Sequence, residues 1–542
     1  MKESLEENKH HLPGLDDSCW LLDPSSNAQN EVNYPSLDRD KKTEIAILGG
    51  GIAGITCAIL LKKKGKKVTL IEAGKIARGV SAQTTAHVSV FQSFLFDYLT
   101  TQFGAESAKT CAESQLLAIE TLFNLIKEYN IECGAKRSNA YAYAVKREDV
   151  NKIKSEFTAC KHAGLAVSYL DSSPLPFPTY GSICYPNQGQ INPRQYLLAL
   201  ASSIPDENGS SIFENTIALE IKENEKKENN NASNAGIANY EIKTDKGIIY
   251  AEKVIVATHF PFPSNGLFFA RMKVARSYAL GIRISDELPD ELYYSSTDPY
   301  YYIRTYQDQK GKLVIIGGED HLTGEERNTL ECFQSIKNFA FLNFNVKSID
   351  YSWSTQDNYP FDELPYIGRV SKDNPHLYVA TGFSGSGMVY GTLSAMIITE
   401  LITASDDLIS KSYKSYEELY APYRLNMLAS GKEFFLRNFH VAEMFITDRV
   451  SSKSKVKNTE EILPGQGAIV HNNNKDLAIY KSEDKSTHIL SPTCTHLGCR
   501  VRFNHAERTW DCPCHGSRYN FDGKILHGPA LKNLERGIKE NQ

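Results

Sequence analysis

The sequence predicts an α/β domain built on a parallel sheet, followed by a small all-β domain, and three observations carry this prediction. A short buried strand, a glycine-rich turn, a helix and a second strand follow one another between Thr43 and Glu72. Helical and strand-like runs then alternate to about residue 400. From about Thr459 onward, short strands separated by turn signals replace that alternation. A length of 542 residues fits at least two packed domains.

The composition and charge are those of an ordinary folded chain. Hydrophobic residues make up 41% and charged residues 23%, which excludes a disordered or fibrous protein. Sixty basic and 65 acidic side chains give a formal charge of −5, so there is no electrostatic basis for nucleic-acid binding. The acidic start of the chain has no apolar run typical of a secretory signal. We therefore expect a cytoplasmic protein without a transmembrane segment.

The first strand–helix–strand unit carries a dinucleotide-binding pattern. A strand over Thr43–Leu48 leads into Gly49–Gly54, which fits G-x-G-x-x-G, and a helix follows to Gly65. The second strand, Lys67–Ile71, ends at Glu72. The glycine pattern alone is weak, but its position between a strand and a helix, with an acidic residue after the next strand, predicts a dinucleotide site. A tight strand–helix turn without a ligand is the alternative.

Each residue of this pattern has a physical role. Gly49 allows the tight turn, Gly51 lets the backbone approach a pyrophosphate, and Gly54 lets the helix pack closely on the strand. The N–H groups and dipole at the start of the helix attract phosphates. Glu72 would accept hydrogen bonds from a ribose diol, and its charge disfavours a 2′-phosphate. The chain holds only one such fingerprint, which leaves no second site for a nicotinamide.

Later segments resemble the FAD-contacting segments of the D-amino-acid oxidase, or glycine/sarcosine oxidase, superfamily. They are Gly79–His87, Val254–Pro261, Trp353–Gly368 and Leu377–Met388. The resemblance implies a FAD-binding, Rossmann-like α/β domain with an interleaved α+β substrate domain, and FAD as the cofactor. The residues that the fingerprint and the resemblance together assign to FAD are Gly49, Gly51, Ile52, Ala53, Gly54, Glu72, Ala73, Thr85, Ala86, Ala218, Thr258, Gly382, Gly385, Gly387 and Met388.

Four of the eleven cysteines crowd into two short segments near the end of the chain. These segments are Cys494–Cys499 (CTHLGC) and Cys512–Ser517 (CPCHGS). Such clustering of cysteine and histidine indicates a metal site rather than a secreted disulfide framework. Two cysteines and two histidines could form a tetrahedral zinc site, but two further cysteines would then lack a role.

The arrangement resembles the Rieske [2Fe–2S] centres of the disulfide-containing class found in respiratory complexes. In those centres two thiolates hold one iron and two imidazoles hold the other. The resemblance implies metal ligation by Cys494, His496, Cys512 and His515, with a disulfide between Cys499 and Cys514. It also implies that the hydroxyls of Ser517 and Tyr519 donate to cluster sulfurs, which raises the reduction potential. Zinc remains the alternative.

Two residues are candidates for catalysis. His87 lies in a segment expected near the flavin ring and could assist proton removal, although a hydrogen-bonded core histidine is equally compatible. Arg304 follows Tyr300–Tyr302, and an aromatic wall with a guanidinium would suit an amino acid or amine. Sheet packing with an exposed arginine is the alternative. We expect His259 to be a core histidine and His527 to be solvated.

The whole chain resembles a bacterial-type family of FAD-dependent oxidoreductases fused to a C-terminal Rieske domain. The predicted segments are an N-terminal extension (1–41), the FAD-binding oxidoreductase (42–400), a helical segment with a linker (401–458) and the Rieske domain (459–542). The implied enzyme oxidises a small-molecule amine, amino acid or related substrate. It passes electrons singly through the cluster to an unidentified acceptor: a protein, a quinone or oxygen. The alternatives are an oxygen-using oxidase with a structural cluster and a non-catalytic redox sensor.

Overall fold

The computed structural model describes residues 15–22, 31–224, 238–262, 268–296, 298–325, 328–405, 407–424, 458–472 and 475–537, together with Gly431 and Val456. The helices in these ranges are α1 (Cys19–Leu22), α2 (Ile52–Lys63), α3 (Gly79–Gln83), α4 (Leu95–Phe103), α5 (Ala105–Glu128), α6 (Val150–His162), α7 (Pro193–Ser202), α8 (Thr329–Asn343), α9 (Gly387–Thr403) and α10 (Lys411–Tyr420).

The strands form four sheets. In chain order they are β1 (Leu15–Asp16), β2 (Lys41–Leu48), β3 (Val68–Ile71), β4 (His87–Val88), β5 (Lys136–Ala144), β6 (Ser168–Leu170), β7 (Tyr180–Gln190), β8 (Ser211–Phe213), β9 (Ala218–Glu223), β10 (Tyr240–Thr244), β11 (Ile248–Val256), β12 (Met272–Ile284), β13 (Leu292–Ser295), β14 (Tyr301–Asp308), β15 (Gly311–Leu322), β16 (Val346–Pro360), β17 (Tyr366–Arg369), β18 (Leu377–Thr381), β19 (Gly467–Asn472), β20 (Lys475–Lys481), β21 (Thr487–Leu490), β22 (Arg502–Asn504), β23 (Thr509–Asp511), β24 (Arg518–Asn520) and β25 (Ile525–His527).

The first βαβ unit is the centre of an eight-stranded sheet. Its main strand order is β17-β18-β11-β2-β3-β8, and the strands from β18 to β8 run parallel. Helix α2 connects β2 to β3 and is buried along nearly its whole length, because it packs on the sheet and against α9. That double packing explains why apolar residues occur all around this helix rather than on one face. The predicted Rossmann-like fold is confirmed.

A ten-stranded sheet forms the second layer of the oxidoreductase. Its main order is β1-β16-β12-β15-β14-β13-β5-β7-β4, with β6 paired to β7. The long strands β12, β15 and β16 are antiparallel neighbours with β12 in the middle. Strands β4 to β7 precede β8 to β11 of the first sheet, whereas β12 to β16 follow them. The two sheets therefore interleave along the chain, as the resemblance implies.

Two small antiparallel sheets make up the C-terminal domain. One contains β19 to β21 and the other β22 to β25. Trp510 and Tyr519 are fully buried and pack with Val501 in a core that also contains the clustered cysteines. The predicted small all-β domain is confirmed.

The extension before residue 42 pairs with the ten-stranded sheet, which is called the substrate sheet below. Strand β1 pairs with β16, and Trp20 is fully buried, with its indole Nε1 donating to the carbonyl of Thr84 at 2.7 Å. In the predicted helical segment, α9 ends at Thr403 and α10 follows; residues 425–457 lie outside the described part of the chain, apart from Gly431 and Val456. Among the described helices, none combines the length and apolarity needed to cross a bilayer.

Candidate active site and metal centre

The glycine-rich turn between β2 and α2 has no room for side chains at Gly49, Gly50 and Gly54. Gly49 has a φ of +111°, and a Cβ there would overlap the carbonyl oxygen of Ala257. A Cβ on Gly54 would overlap the Gly49 carbonyl oxygen, so this glycine sets the close packing of helix on strand. A methyl group on Gly51 would meet only the Ser81 hydroxyl, at 3.0 Å, and would otherwise occupy the space in front of the helix. The turn is therefore shaped for a ligand at Gly51.

Gly51→Ala separates folding from cofactor binding. The substitution leaves the protein packing nearly unchanged but fills space that a pyrophosphate needs. We expect FAD to bind about tenfold more weakly or worse, since losing a good polar contact costs about 1–3 kcal/mol. Titration of the apoprotein, followed by quenching of flavin fluorescence, measures this affinity, and the thermal midpoint of the apoprotein controls for folding. Wild-type affinity in the variant would contradict this assignment.

Glu72 braces the same turn from the end of β3. Its carboxylate accepts hydrogen bonds from the backbone N–H of Gly50 at 2.7 Å and of Gly74 at 2.9 Å. Burial raises the pKa of Glu72, and the neighbouring Glu214 acts in the same direction. Glu214, which sequence reasoning did not single out, accepts from Lys75 Nζ at 2.7 Å and holds the loop after Glu72 in place.

One large cavity of about 1550 Å³ connects the two glycine-rich segments. The predicted FAD residues that line it are Gly49, Gly51, Ile52, Ala53, Glu72, Ala73, Thr85, Ala218, Thr258, Gly382, Gly385, Gly387 and Met388. Gly54 and Ala86 lie outside the lining. Two glycine turns and an acidic residue at one elongated cavity fit a dinucleotide such as FAD.

His87 lies on the cavity wall as a neutral histidine. Burial lowers its pKa to about 3, and the positive charge of Arg304 acts in the same direction. Its Nδ1 lies 3.0 Å from the Thr85 hydroxyl, and its ring packs against Tyr294 and Tyr302 at centroid distances of 5.0 and 5.9 Å. With this low pKa, the imidazole is in its uncharged form at neutral pH.

Arg304 is fully buried and does not line the cavity. Its Nη1 donates to the backbone carbonyls of Thr85, Ala86 and Ile191 at 2.7 to 3.2 Å. The guanidinium also lies 5.4 Å from the centre of the Trp20 ring. The sequence placed this residue on a strand but did not show which way it faces. Arg304 therefore does not reach the cavity to contact a substrate, and the exposed arginine of the alternative interpretation is also wrong.

Two further histidines face the cavity. His259 lines the wall, burial lowers its pKa to about 4, and its Nε2 has no hydrogen-bond partner among the described residues. His527 was expected to be solvated, and this expectation is wrong. It lies half-buried on the same wall, where burial and the charge of Arg518 lower its pKa. Residues 524–533 of the C-terminal domain therefore form part of the cavity.

Sequence reasoning missed two carboxylates in the cavity. Asp320 follows the glycine pair of β15, and Asp357 lies on β16. These strands flank β12, so the two carboxylates lie across one strand from each other. Burial raises the pKa of Asp320 to about 7, and the charge of Asp357 contributes. Burial also raises the pKa of Asp357 to about 6, although Arg276 opposes the shift.

The two cysteine-rich segments form matching loops. In one loop Cys494 N–H donates to the Cys499 carbonyl, and in the other Cys512 N–H donates to the Ser517 carbonyl, both at 2.8 Å. A disulfide joins Cys499 to Cys514 and links the two loops. The sulfur atoms of these two residues therefore cannot serve as thiolate ligands.

The remaining cysteines and histidines of the loops form two close pairs. The Cys512 thiol hydrogen-bonds Cys494 and lowers the pKa of the Cys494 thiol to about 6. The rings of His496 and His515 lie side by side, with centroids 5.1 Å apart. The His496 Nδ1 atom is buried and has no partner among the described residues, which leaves it available as a ligand atom. Two adjacent thiols and two adjacent imidazoles fit a [2Fe–2S] centre with mixed ligands.

Hydroxyl groups surround the Cys494 sulfur. The Tyr519 hydroxyl lies 3.3 Å from Cys494 Sγ, and Ser517 hydrogen-bonds the same sulfur. Ser517 in turn accepts from the Ala530 N–H at 3.0 Å, which fixes the position of its oxygen. Both hydroxyls lie where a donor would stabilise extra negative charge on a cluster.

Tyr519→Phe is expected to lower the reduction potential of the centre. One lost hydrogen bond to a charged sulfur is worth about 1 kcal/mol, or roughly 40 mV for a one-electron couple. A redox titration followed by electron paramagnetic resonance measures the shift, with Tyr480→Phe as a control in the same domain. An unchanged or higher potential in the Tyr519 variant would contradict the donor role.

The C-terminal domain docks on the substrate sheet through buried charges. Glu507 lies 2.6 Å from Arg276 of β12 and 3.0 Å from Arg518 of β24. Arg518 also pairs with Asp511 at 3.0 Å. Burial alone would raise the pKa of Glu507, but the two arginines outweigh it and lower the pKa to about 2. Glu507 is therefore a largely buried anion held between cations from both domains.

The metal-binding loops pack on residues next to the cavity wall. The ring of Phe269 meets His515 edge-on at a centroid distance of 5.4 Å and lies 6.4 Å from His496. Gln356 Nε2 donates to the Gly516 carbonyl at 3.0 Å. The residue after Gln356 is the cavity carboxylate Asp357. The metal centre and the cavity are thus adjacent.

The fold and both sites define a flavin-dependent oxidoreductase with a Rieske iron–sulfur domain. The family model for "FAD dependent oxidoreductase" matches residues 44–401, and the model for "Rieske [2Fe-2S] domain" matches residues 452–537. The chain therefore belongs to the FAD-dependent oxidoreductase family, and the predictions of FAD and a Rieske cluster as cofactors are confirmed.

Individual relatives agree with this assignment. The chain is 33% identical over 530 residues to the putative Rieske 2Fe-2S iron-sulfur protein YhfW of Bacillus subtilis, which covers 98% of this chain and 99% of the relative. It is 20% identical to gamma-glutamylputrescine oxidoreductase of Escherichia coli, over 70% of this chain and 88% of the relative. Glycine oxidase from Geobacillus kaustophilus shares the fold with a TM-score of 0.56 at 18% identity, over 71% of this chain and 99% of that structure.

Proposed function

We propose that this chain is a dehydrogenase that oxidises a C–N bond in a small amine or amino acid and passes the electrons singly to its own Rieske centre. From there they would leave to an external acceptor. The observation that carries the proposal is the packing of the metal-binding loops on Phe269 and on Gln356, whose neighbour Asp357 lines the flavin cavity. Bound FAD would supply two-electron acceptance from the substrate, and the cluster would supply one-electron acceptance.

Two short paths of packed residues link the sites. Phe269, which contacts His515, lies three residues before Met272. The Met272 sulfur lies 4.0 Å from the hydroxyl of Thr381, the residue before the glycine loop at Gly382. On the second path, Gln356 binds the Gly516 carbonyl, and its neighbour Asp357 accepts from the N–H of Gly385. Because both sites belong to one chain, their effective concentration is high.

We assign the predicted residues to roles within this scheme. The cavity-lining residues of the two glycine segments would hold FAD, while Gly54 would act only by letting α2 pack on β2. Cys494, His496, Cys512 and His515 would ligate the cluster, with Cys499 and Cys514 as the disulfide. His87 is uncharged at neutral pH and is hydrogen-bonded on the wall, and its low pKa makes it a weak base, so it would orient a substrate rather than accept a proton.

The names of two relatives support the choice of a C–N bond. Glycine oxidase and gamma-glutamylputrescine oxidoreductase are both named for nitrogen compounds.

Anaerobic screening of the reconstituted holoprotein tests the proposal. Amines, amino acids and, as controls, hydroxy acids are added without oxygen, flavin bleaching is followed by absorbance, and cluster reduction by electron paramagnetic resonance. We expect a nitrogen compound to bleach the flavin and to produce the reduced-cluster signal. Bleaching that never reaches the cluster, with fast oxygen consumption in air, would favour an oxidase with a structural cluster. Absence of bleaching by every compound would favour a redox sensor.

A further inference from the structure

One wall of the cavity, formed by residues of β15, β16 and the start of β14, combines acidic and aromatic side chains that suit a positive charge. Asp320 and Asp357 face the cavity, and neither has an ion-pair partner among the described residues. Tyr300, Tyr302 and Tyr359 line the same region, and the rings of Tyr300 and Tyr302 lie 5.8 Å apart. Carboxylates and tyrosine rings together are the usual surroundings of an alkylammonium group.

The strand pairing places these groups on one face. Asp357 is opposite Ala275 of β12, and Thr355 is opposite Ser277. Residues 355, 357 and 359 alternate along β16 and therefore point to the same side of the sheet. On β15, Gly317 leaves room for the Tyr302 ring, since a Cβ there would overlap that ring. The glycine thus lets the tyrosine lie beside Asp320.

A second, independent feature points to a ligand at this wall. Thr355 lines the cavity, and its buried hydroxyl has no hydrogen-bond partner among the described residues. A buried hydroxyl without a partner is destabilising, so a bound N–H group that reached it would recover that cost. The hydroxyl lies two residues from Asp357 on the same face of β16.

No arginine among the described residues lines this wall to pair with a substrate carboxylate. The only arginine that lines the described cavity is Arg78, at the end near Glu72, and it pairs with Glu31 at 3.4 Å. Lys273 of β12 also lines the cavity, but its ammonium lies over the Tyr359 ring, 5.8 Å from the centroid. A substrate carboxylate at this wall would face two acidic groups and be repelled.

From this arrangement we infer that the enzyme takes an alkylamine with a cationic nitrogen and no carboxylate, and that Asp320 and Asp357 bind that nitrogen. The inference rests on the proposed function and narrows its substrate class from amines and amino acids to amines. Tyr300, Tyr302 and Tyr359 would enclose the alkyl part, and Thr355 would accept one N–H bond. The two carboxylates would bind the charged nitrogen, and this role does not depend on which C–N bond of the amine is oxidised.

The pH dependence of binding should follow the two carboxylates. Burial raises their pKa values to about 7 for Asp320 and about 6 for Asp357, so both become charged as the pH rises through this range. We expect affinity for a cation to rise between pH 5.5 and 8. The other charged groups near the pair are Glu319, Arg276 and Lys273.

The test uses matched ligand pairs on the FAD-loaded holoprotein. Butylamine and putrescine are compared with 4-aminobutyrate and glycine, and binding is read as a perturbation of the flavin spectrum without oxygen. We expect the two carboxylate-free amines to bind and the two amino acids to bind at least about tenfold more weakly. In Asp357→Asn and Asp320→Asn, affinity for the amines should fall by about tenfold to a hundredfold.

Glu319→Gln is the matched control. It removes a negative charge from the residue next to Asp320, but Glu319 lies outside the cavity lining and accepts from the Tyr301 hydroxyl at 2.9 Å. Its affinity for the amines should stay within about twofold of wild type. The inference would be overturned by tighter binding of the amino acids, by no perturbation with any amine, or by asparagine variants that bind like wild type.

Failure of the inference can be told apart from failure of the proposed function. Bleaching of the flavin by amino acids in the same experiment would contradict the inference but leave the proposed function intact.

Discussion

The Cys512→Ser protein is expected to keep its FAD and to lose its iron. Cys512 is buried, its thiol contacts that of Cys494, and in the proposed centre the two together would supply both thiolates for one iron. A serine hydroxyl at this position is a poor substitute for a thiolate, and a cluster that lacks one ligand does not persist. We expect iron to fall to below about a tenth of the wild-type content. The flavin cavity contains neither cysteine and should be unaffected.

Iron analysis and flavin absorbance on the same sample measure this effect. Cys184→Ser is the control, since Cys184 is a partly exposed cysteine of β7 in the oxidoreductase domain. It should retain both cofactors. Full iron content in the Cys512 variant would contradict the ligand assignment. Zinc without iron in the reconstituted wild-type protein would restore the tetrahedral alternative.

The second large effect concerns the charged contact between the domains. Glu507→Gln leaves Arg276 and Arg518 buried without the anion between them. Removing one partner of a buried ion pair costs about 3–5 kcal/mol, so the free energy of unfolding should fall by about that amount. Urea unfolding, followed by circular dichroism and by absorbance of the cluster, measures the change. Glu325→Gln, at an exposed position of the same sheet region, should change the stability by less than about 0.5 kcal/mol.

The same residue gives the contact a defined pH dependence. The folded-state pKa of Glu507 is about 2, below its ordinary value of 4.5. A carboxyl group whose pKa is lower in the folded than in the unfolded protein stabilises the fold. This contribution is fully present above the pKa of the unfolded state and is lost as the pH falls toward the pKa of the folded state. The difference in stability between wild type and Glu507→Gln should therefore be constant near neutral pH and shrink between about pH 4.5 and 2. A difference that is absent at pH 7, or that grows in acid, would contradict the buried ion pair.

The sites that could be predicted from the sequence are those built from neighbouring residues. The turn at Gly49–Gly54 and the two cysteine loops are short segments, and spacing alone brings their backbone and side chains together. Glu72 also follows from local order, because parallel strands β2 and β3 place it beside the turn. For these groups the spacing along the sequence is enough to predict which residues lie together in the fold.

The residues that were missed come together only through long-range pairing. Asp320 and Asp357 lie near each other because their strands, β15 and β16, both pair with β12. Neither segment of the sequence predicts that strand order. Glu507 and Arg276 belong to different domains. His527 belongs to the C-terminal domain, whereas most residues that line its cavity belong to the oxidoreductase domain. Arg304 illustrates the converse: its strand was recognised, but its direction depends on carbonyl groups contributed by distant segments.

The most direct test of the central claim needs no substrate. The flavin of the holoprotein is reduced by light and a deazaflavin donor without oxygen, in less than stoichiometric amount, and the cluster is then examined by electron paramagnetic resonance. The arrangement of Phe269 and Gln356 between the sites predicts that flavin absorbance recovers while the reduced-cluster signal appears in the dark. A flavin that stays bleached beside an oxidised cluster would show that the two groups do not exchange electrons.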